Sequence, residues 1–157
     1  MSAERQLCTF ILDGLALGID VREVQEVMTH HGMTRVPRAA AVIRGLINLR
    51  GQIVPALDLR RRLRLNEAPV GWEPMSVVVH STDGPVSLLV DEIGDVVQVA
   101  EENFERRPET LTGVARELIQ GAYKLEGQLL LVLDTARVLQ LDRDPAARTR
   151  SAKGDSE

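Results

Sequence analysis

The sequence predicts a mainly β protein of the barrel type, built from two similar small halves. Three observations predict it. Runs of Val, Leu and Ile recur between Asp-Gly, Arg-Gly and Glu-Gly turns, at the spacing of about 8–12 residues that marks sandwiches and barrels. Only four residues of 157 are aromatic (Phe10, Trp72, Phe104 and Tyr123), so the core must be aliphatic. A nineteen-residue stretch also repeats without gaps: GLINLRGQIVPALDLRRRL (45–63) aligns with GAYKLEGQLLLVLDTARVL (121–139) at an offset of 76, with eight identities. VREVQEVM (21–28) likewise matches VDEIGDVV (90–97) at an offset of 69. A turn segment followed by a hairpin therefore occurs twice.

Along the chain, residues 6–12 read as a strand, Asp13-Gly14 as a tight turn and 15–20 as the returning strand, because Gly tolerates the positive φ of a two-residue hairpin turn. Val21, Val24, Val27 and Met28 fall at helical spacing, which predicts a short helical turn weakened by β-branching. Val36-Pro37 enforces an extended kink, and 39–44 reads as one or two helical turns. Residues 45–49, Arg50-Gly51 and 52–59 form a second hairpin, and 76–80, Asp83-Gly84-Pro85 and 86–90 a third. A strand follows at 96–99, then an irregular polar stretch over 101–117 with a short helix. The fourth hairpin spans 123–134 around Glu126-Gly127, and 135–141 is a short terminal helix. Beyond Asp142 the sequence DRDPAARTRSAKGDSE has no apolar periodicity and reads as a disordered tail. Pro69, Gly71 and Pro74 punctuate a polar junction at 67–73 between the halves.

A chain of this length forms one compact domain or two small halves sharing an interior. The single Cys8 excludes a disulfide framework and a Cys-based zinc site, and its place in a strand reads as a small buried apolar residue. No aliphatic run approaches the length of about 20 residues a membrane span needs. The N-terminus lacks a signal-peptide core, so a cytoplasmic protein without direct membrane insertion is expected. The formal net charge is −4, yet residues 35–65 carry eight Arg against Asp58, and 91–109 carry seven acids against Arg106 and Arg107. Solvated faces or a complementary protein-docking surface explain this polarity. An acidic chain poor in exposed rings is a poor nucleic-acid binder.

Chemistry-bearing constellations are missing. His30 and His31 are adjacent and point apart, and His80 ends an apolar strand, so all three read as surface or loop imidazoles. No phosphate loop occurs, and no nucleophile, base and orienting group assemble. The expectation is a non-enzyme with no cofactor and no metal. The two copies nevertheless diverge at the hairpin tip. Arg50-Gly51 faces Glu126-Gly127, while Asn48 and Pro55 are matched by Lys124 and Leu131. One copy has acquired a property that the repeat itself does not need.

LGIDVREVQEVM (17–28) and TRVPRAAAVIRGLINLRGQIVPALDLRRRL (34–63), with NLRG followed by IVP and DLR, resemble the CheW family of chemotaxis adaptors. The resemblance covers residues 6–141. Leu17 stands where the family often has an aromatic, and 67–71 matches poorly. The resemblance implies two SH3-like five-stranded β-barrels packed together in a CheW-like domain over 1–141, the first barrel at 6–68 and the second at 74–141, with strand exchange allowed and a tail at 142–157. It implies a scaffold coupling a CheA-type histidine kinase, through its regulatory domain, to the cytoplasmic tip of methyl-accepting chemoreceptors, in arrays at the inner membrane. Carried over by motif, the receptor site comprises Val24, Glu26, Gly45, Asn48 and Arg50, with Glu26 and Arg50 expected to form a salt bridge. Arg44 and Ile53 are the kinase-contact candidates, Gly51 and Gly127 are turn residues, and Arg60 to Arg64 read as a solvated rim. The alternatives are a paralogue serving pilus, surface-motility or cyclic-dinucleotide pathways, a small-ligand sensor, and an SH3- or OB-like module that binds RNA.

Overall fold

The computed structural model describes residues 4–29, 32–35, 41–106 and 113–141. The elements in chain order are β1 (Glu4–Leu12), β2 (Leu15–Asp20), a 3₁₀ turn (Val21–Glu23), β3 (Val24–Thr29), β4 (Ile43–Leu49), β5 (Gln52–Asp58) and α1 (Leu59–Arg62). Then come β6 (Met75–Val79), β7 (Val86–Val90), β8 (Glu92–Ala100), a 3₁₀ turn (Glu101–Asn103), β9 (Phe104–Arg106), α2 (Gly113–Leu118), β10 (Ile119–Leu125), β11 (Gln128–Leu133) and α3 (Thr135–Val138). The protein is mainly β, as expected. Its strands form two sheets, a six-stranded one ordered β8-β1-β2-β11-β10-β9 and a five-stranded one ordered β3-β6-β7-β5-β4. We call these sheet A and sheet B. Five strands were expected in each; the short β9 is the sixth of sheet A.

The duplication reaches the hydrogen-bond register. Leu7 faces Asp20 in the first hairpin and Ser76 faces Leu89 in the third, both displaced by 69. Parallel β11 and β2 pair Val132 with Gly18, and parallel β5 and β7 pair Ala56 with Ser87. The caps repeat too. Asp58 accepts from the Arg61 N–H at the start of α1, and Asp134 accepts from the Arg137 N–H at the start of α3, each satisfying one of the donors a helix start leaves open. Each sheet nonetheless draws strands from both parts of the chain: β1 and β2 join β8–β11, while β6 and β7 join β3–β5.

Alternating side chains give each sheet a private core and a shared one. Leu7, Val99, Tyr123, Leu130 and Val132 fill the inside of sheet A. Leu49, Val54 and Val78, with Ile47, Ala56 and Leu89, fill sheet B. The largest cluster lies between the sheets, with Phe10, Leu12, Leu17 and Ile19 from one meeting Leu57, Val77, Val79 and Leu88 from the other. Burying these aliphatics is the main driving force for holding the sheets together.

Several local expectations are corrected. The helical turn expected over 21–28 is a 3₁₀ turn followed by strand β3. Val24, Glu26 and Met28 alternate inward with exposed Gln25, Val27 and Thr29, the period of a strand. Of the helical turns expected at 39–44, Ile43 and Arg44 belong to β4, while 36–40 lie outside the described residues. Leu59 opens α1 instead of ending β5, and the strand expected at 96–99 runs over all of β8. Within 101–117, β9 and α2 are regular. The imidazoles at 30 and 31 and the tail at 142–157 also lie outside the described residues.

A candidate docking site at the Glu26–Arg50 clamp

Arg50 and Gly51 occupy the two tip positions of the β4–β5 hairpin with φ of 53° and 85°. Two consecutive positive φ values define the turn whose twist matches the flanking strands. Asn48 secures it, its Oδ1 accepting the Gly51 N–H at 2.9 Å. Gly127 takes φ of 80° at the equivalent tip of β10–β11.

The tip projects the Arg50 guanidinium to Glu26 on β3, donating to both carboxylate oxygens at 3.1 and 3.0 Å. β3 and β4 are opposite edges of sheet B, so this fork-to-fork pair bridges the ends of a sheet that curls on itself. The expected salt bridge is formed. Glu26 is only 19% exposed while Arg50 is 77% exposed, so the carboxylate is the seated partner and the cation faces solvent.

Gly45 serves close approach, with no turn involved. A Cβ there would lie 2.5 Å from Met33 Cγ and 2.6 Å from the Thr34 carbonyl oxygen. That oxygen accepts the Leu46 N–H while the Thr34 N–H donates to the Leu46 carbonyl, closing a bridge along the β4 edge. Gly121 repeats the device in sheet A against β9, where the Glu105 oxygen would be 2.4 Å away.

Val24 begins β3, half-buried opposite Val79. Ile53, on β5 opposite Asn48, is 58% exposed, and Val27 on β3 is exposed too, so apolar surface borders the clamp. Arg44 is less available than a rim cation: it donates to the buried Asp58 at 3.0 Å and lies over the Trp72 ring, 5.1 Å from its centroid.

The register explains why only one copy carries the clamp. Displaced by 69 and 76, Glu26 and Arg50 map to Asp95 and Glu126. The second copy has two acids where the first has an ion pair.

Arg60 and Arg62 depart from the solvated rim expected of them, being 8% and 5% exposed. Arg60 pairs with Asp91 through Nε at 2.9 Å and Nη2 at 2.6 Å. Arg62 donates to the Val138, Arg137 and Gln140 carbonyls at 2.9, 2.9 and 3.3 Å, satisfying the open end of α3. The repeat held the signal for this: Arg62 maps to Val138, which is fully buried.

Electrostatics near the site follow from these contacts. Hydrogen bonds from Arg22, and then from Arg5, hold the Asp20 carboxyl far below the usual carboxylate range despite its burial. Burial pushes Glu23 up, only partly offset by a hydrogen bond from the Thr135 hydroxyl.

An ion pair, a side-chain-locked turn and a glycine contact position a surface. Fold and site together define a protein of two interlocked β-sheets with an ion-pair clamp at the edge of one of them. The chain belongs to the CheW family: the family model for the CheW-like domain matches residues 6–143. It is 32% identical over 133 residues to the chemotaxis protein CheW of Treponema pallidum (strain Nichols), covering 82% of this chain and 78% of that one. It is also 32% identical over 142 residues to the chemotaxis protein CheW of Bacillus subtilis (strain 168), covering 90% and 91%. The crystal structure of the scaffolding protein TtCheW from Thermoanaerobacter tengcongensis shares the fold with a TM-score of 0.80 at 22% identity, covering 90% of this chain and 97% of that one. Among the described residues no helix is long and apolar enough to cross a membrane.

Proposed function

We propose that the chain is a non-catalytic adaptor that couples chemoreceptors to a CheA-type histidine kinase in chemotaxis signalling, at receptor arrays on the cytoplasmic side of the inner membrane. One observation carries this reading: the Glu26–Arg50 clamp, with its exposed guanidinium, is built in one copy of the duplication and replaced by two acids in the other. A purely structural closure would serve both copies alike.

The receptor's helical tip docks beside the clamp, on Val24, Glu26, Asn48 and Arg50, with Gly45, covered by Met33 and Thr34, supporting the β4 edge beneath them. Helix-in-groove recognition uses apolar anchors within a polar rim, and exposed Val27 and Ile53 beside the ion pair supply both. The kinase regulatory domain meets the flank of β4 and β5 through Ile53 and Arg44. Each contact is modest in area, as exchangeable partners require, and repetition in an array multiplies their strength.

The test is reconstitution of purified chain, kinase and receptor signalling fragment. Addition of the chain is expected to raise receptor-dependent autophosphorylation of the kinase, and affinity capture from cells is expected to co-purify both partners. Unchanged kinase activity together with capture of neither partner rejects the proposal.

A further inference from the structure

The duplication relates two ends of the interface between the sheets, and they are built differently. At one end, Arg60 of α1, on the sheet B side, reaches Asp91, which separates β7 of sheet B from β8 of sheet A. Asp91 Oδ2 also accepts the Asp13 N–H at 2.8 Å, in the β1–β2 turn of sheet A. Its Oδ1 accepts the Trp72 indole N–H at 2.9 Å. Arg60 Nη1 lies 3.5 Å from Asp13 Oδ1 and donates to the Asn66 carbonyl at 3.0 Å. The Asn66 N–H returns to Asp13 Oδ2 at 3.2 Å. One buried guanidinium thus ties sheet B, sheet A and the 66–74 junction together.

At the other end the same register positions hold Ala136 for Arg60, Arg22 for Asp91 and Thr82 for Asp13. Arg22 turns away to Asp20 and is exposed. In place of a buried guanidinium, this end has the hydrogen bond from the Thr135 hydroxyl to Glu23 at 3.3 Å, beside a cavity of about 520 Å³ also lined by His80, Asp83, Ala136 and Leu139, among others.

We propose that Arg60 is a positioning residue: with Asp91 and Trp72 it latches the two sheets at one end, so that any change in the angle between them opens at the Glu23 end. The proposal rests on the adaptor reading only for its consequence, which is that a partner seated on sheet B is held in fixed relation to sheet A. Removing one member of a buried charge pair leaves the other uncompensated, so the latch is sensitive to single substitutions. Local opening of this kind is read by hydrogen exchange.

The experiment is hydrogen exchange by NMR on the full chain. The reporters are the indole N–H of Trp72, the single tryptophan, and the Asp13 amide; both donate to Asp91, so Arg60→Ala removes neither acceptor. Arg60→Ala is expected to speed their exchange about tenfold or more, with β4–β5 protection unchanged. Arg60→Lys, which keeps the charge without the fork, is expected to restore part of it. If Arg60→Ala does not fold, Asp91→Asn is read on the Asn66 amide, whose acceptor Asp13 is intact, with the same acceleration expected. Reporter exchange within about twofold of the parent in the folded variant overturns the latch. In the reconstituted system Arg60→Ala is expected to keep receptor-fragment affinity while lowering kinase activation. Should the unaltered chain activate no kinase, the adaptor reading fails and the exchange result still decides the latch.

Discussion

Replacing Arg50 by Glu separates docking from folding. The substitution removes a bidentate pair and sets a second carboxylate facing Glu26. Arg50 is 77% exposed, and an exposed pair contributes about 0–1 kcal/mol. The repulsion that replaces it is of the same order, and the left-handed φ of 53° at this position strains a glutamate as it strains an arginine. The total is about 1 kcal/mol, which in a chain of this size lowers Tm by about 2–4 °C. Receptor-fragment binding, by contrast, is expected to be lost, because the side chain presented to the partner has changed sign. The assays are a thermal melt and a pull-down with the receptor fragment, run on Arg50→Glu, on Glu26→Arg and on the double variant. If the two residues interact directly, the double variant regains the Tm and part of the binding, a coupling that a double-mutant cycle isolates. A folded Arg50→Glu chain that binds receptor as well as the parent would refute the assignment.

The remaining expectations concern packing, polar satisfaction and pH. Gly45→Ala forces its Cβ against the Thr34 carbonyl oxygen and is expected to cost about 1–3 kcal/mol in urea unfolding, whereas Gly51→Ala meets open space and costs about 1 kcal/mol through its positive φ alone. Arg62→Met removes the donor to the Val138 and Gln140 carbonyls, while the Arg137 carbonyl keeps the Gln140 N–H, and a loss of about 1–3 kcal/mol is expected in the same assay. Burial raises the Glu23 carboxyl, so its contribution to stability is full below the ordinary carboxylate range and is lost as pH rises through the raised value; Glu23→Gln is expected to raise Tm at neutral pH. Burial also pushes Asp91 up, but hydrogen bonds from Arg60, the Asp13 N–H and Trp72 outweigh it and its net shift is downward. Its contribution is present above the ordinary range and is lost as pH falls through the lowered value, so Asp91→Asn is expected to flatten the acid limb of a Tm–pH profile.

The hairpins were legible because an X-Gly tip between aliphatic runs admits few other structures, and the three such turns at Asp13, Arg50 and Glu126 lie between paired strands. β3 departs from the expected helical turn because Val21, Val24, Val27 and Met28 fit a helical period while the chain around them also alternates, and pairing with β6 decides for the strand. β9, three residues long, has no periodicity to read and exists through its contact with Gly121. The clamp was legible from the motif and the opposite charges of Glu26 and Arg50. The buried arginines were not, because a run of Arg reads as solvated unless each position is compared with its mate. Arg62 maps to Val138, a buried apolar mate that marks an inward-facing position the charge conceals, whereas Arg60 maps to Ala136, which is exposed and carries no such signal.

The two sheets solve one problem in different ways, and the difference bears on where we propose that a partner fits. A curled sheet leaves edge strands whose backbone groups invite pairing. In sheet A the β10 edge is covered by β9 over three register positions. In sheet B the β4 edge has, among the described residues, the single bridge between Thr34 and Leu46, and the curl is closed by the Glu26–Arg50 pair. A covering strand makes a permanent closure. An ion pair worth about 1 kcal/mol or less is cheap to rearrange, and its cation is already in solvent. Sheet B has therefore kept an adjustable edge, bordered by exposed Val27 and Ile53, where sheet A has sealed its own. That asymmetry supports the proposed docking at the clamp in the first copy of the repeat and accounts for two acids at the equivalent place in the second, where no pair is needed.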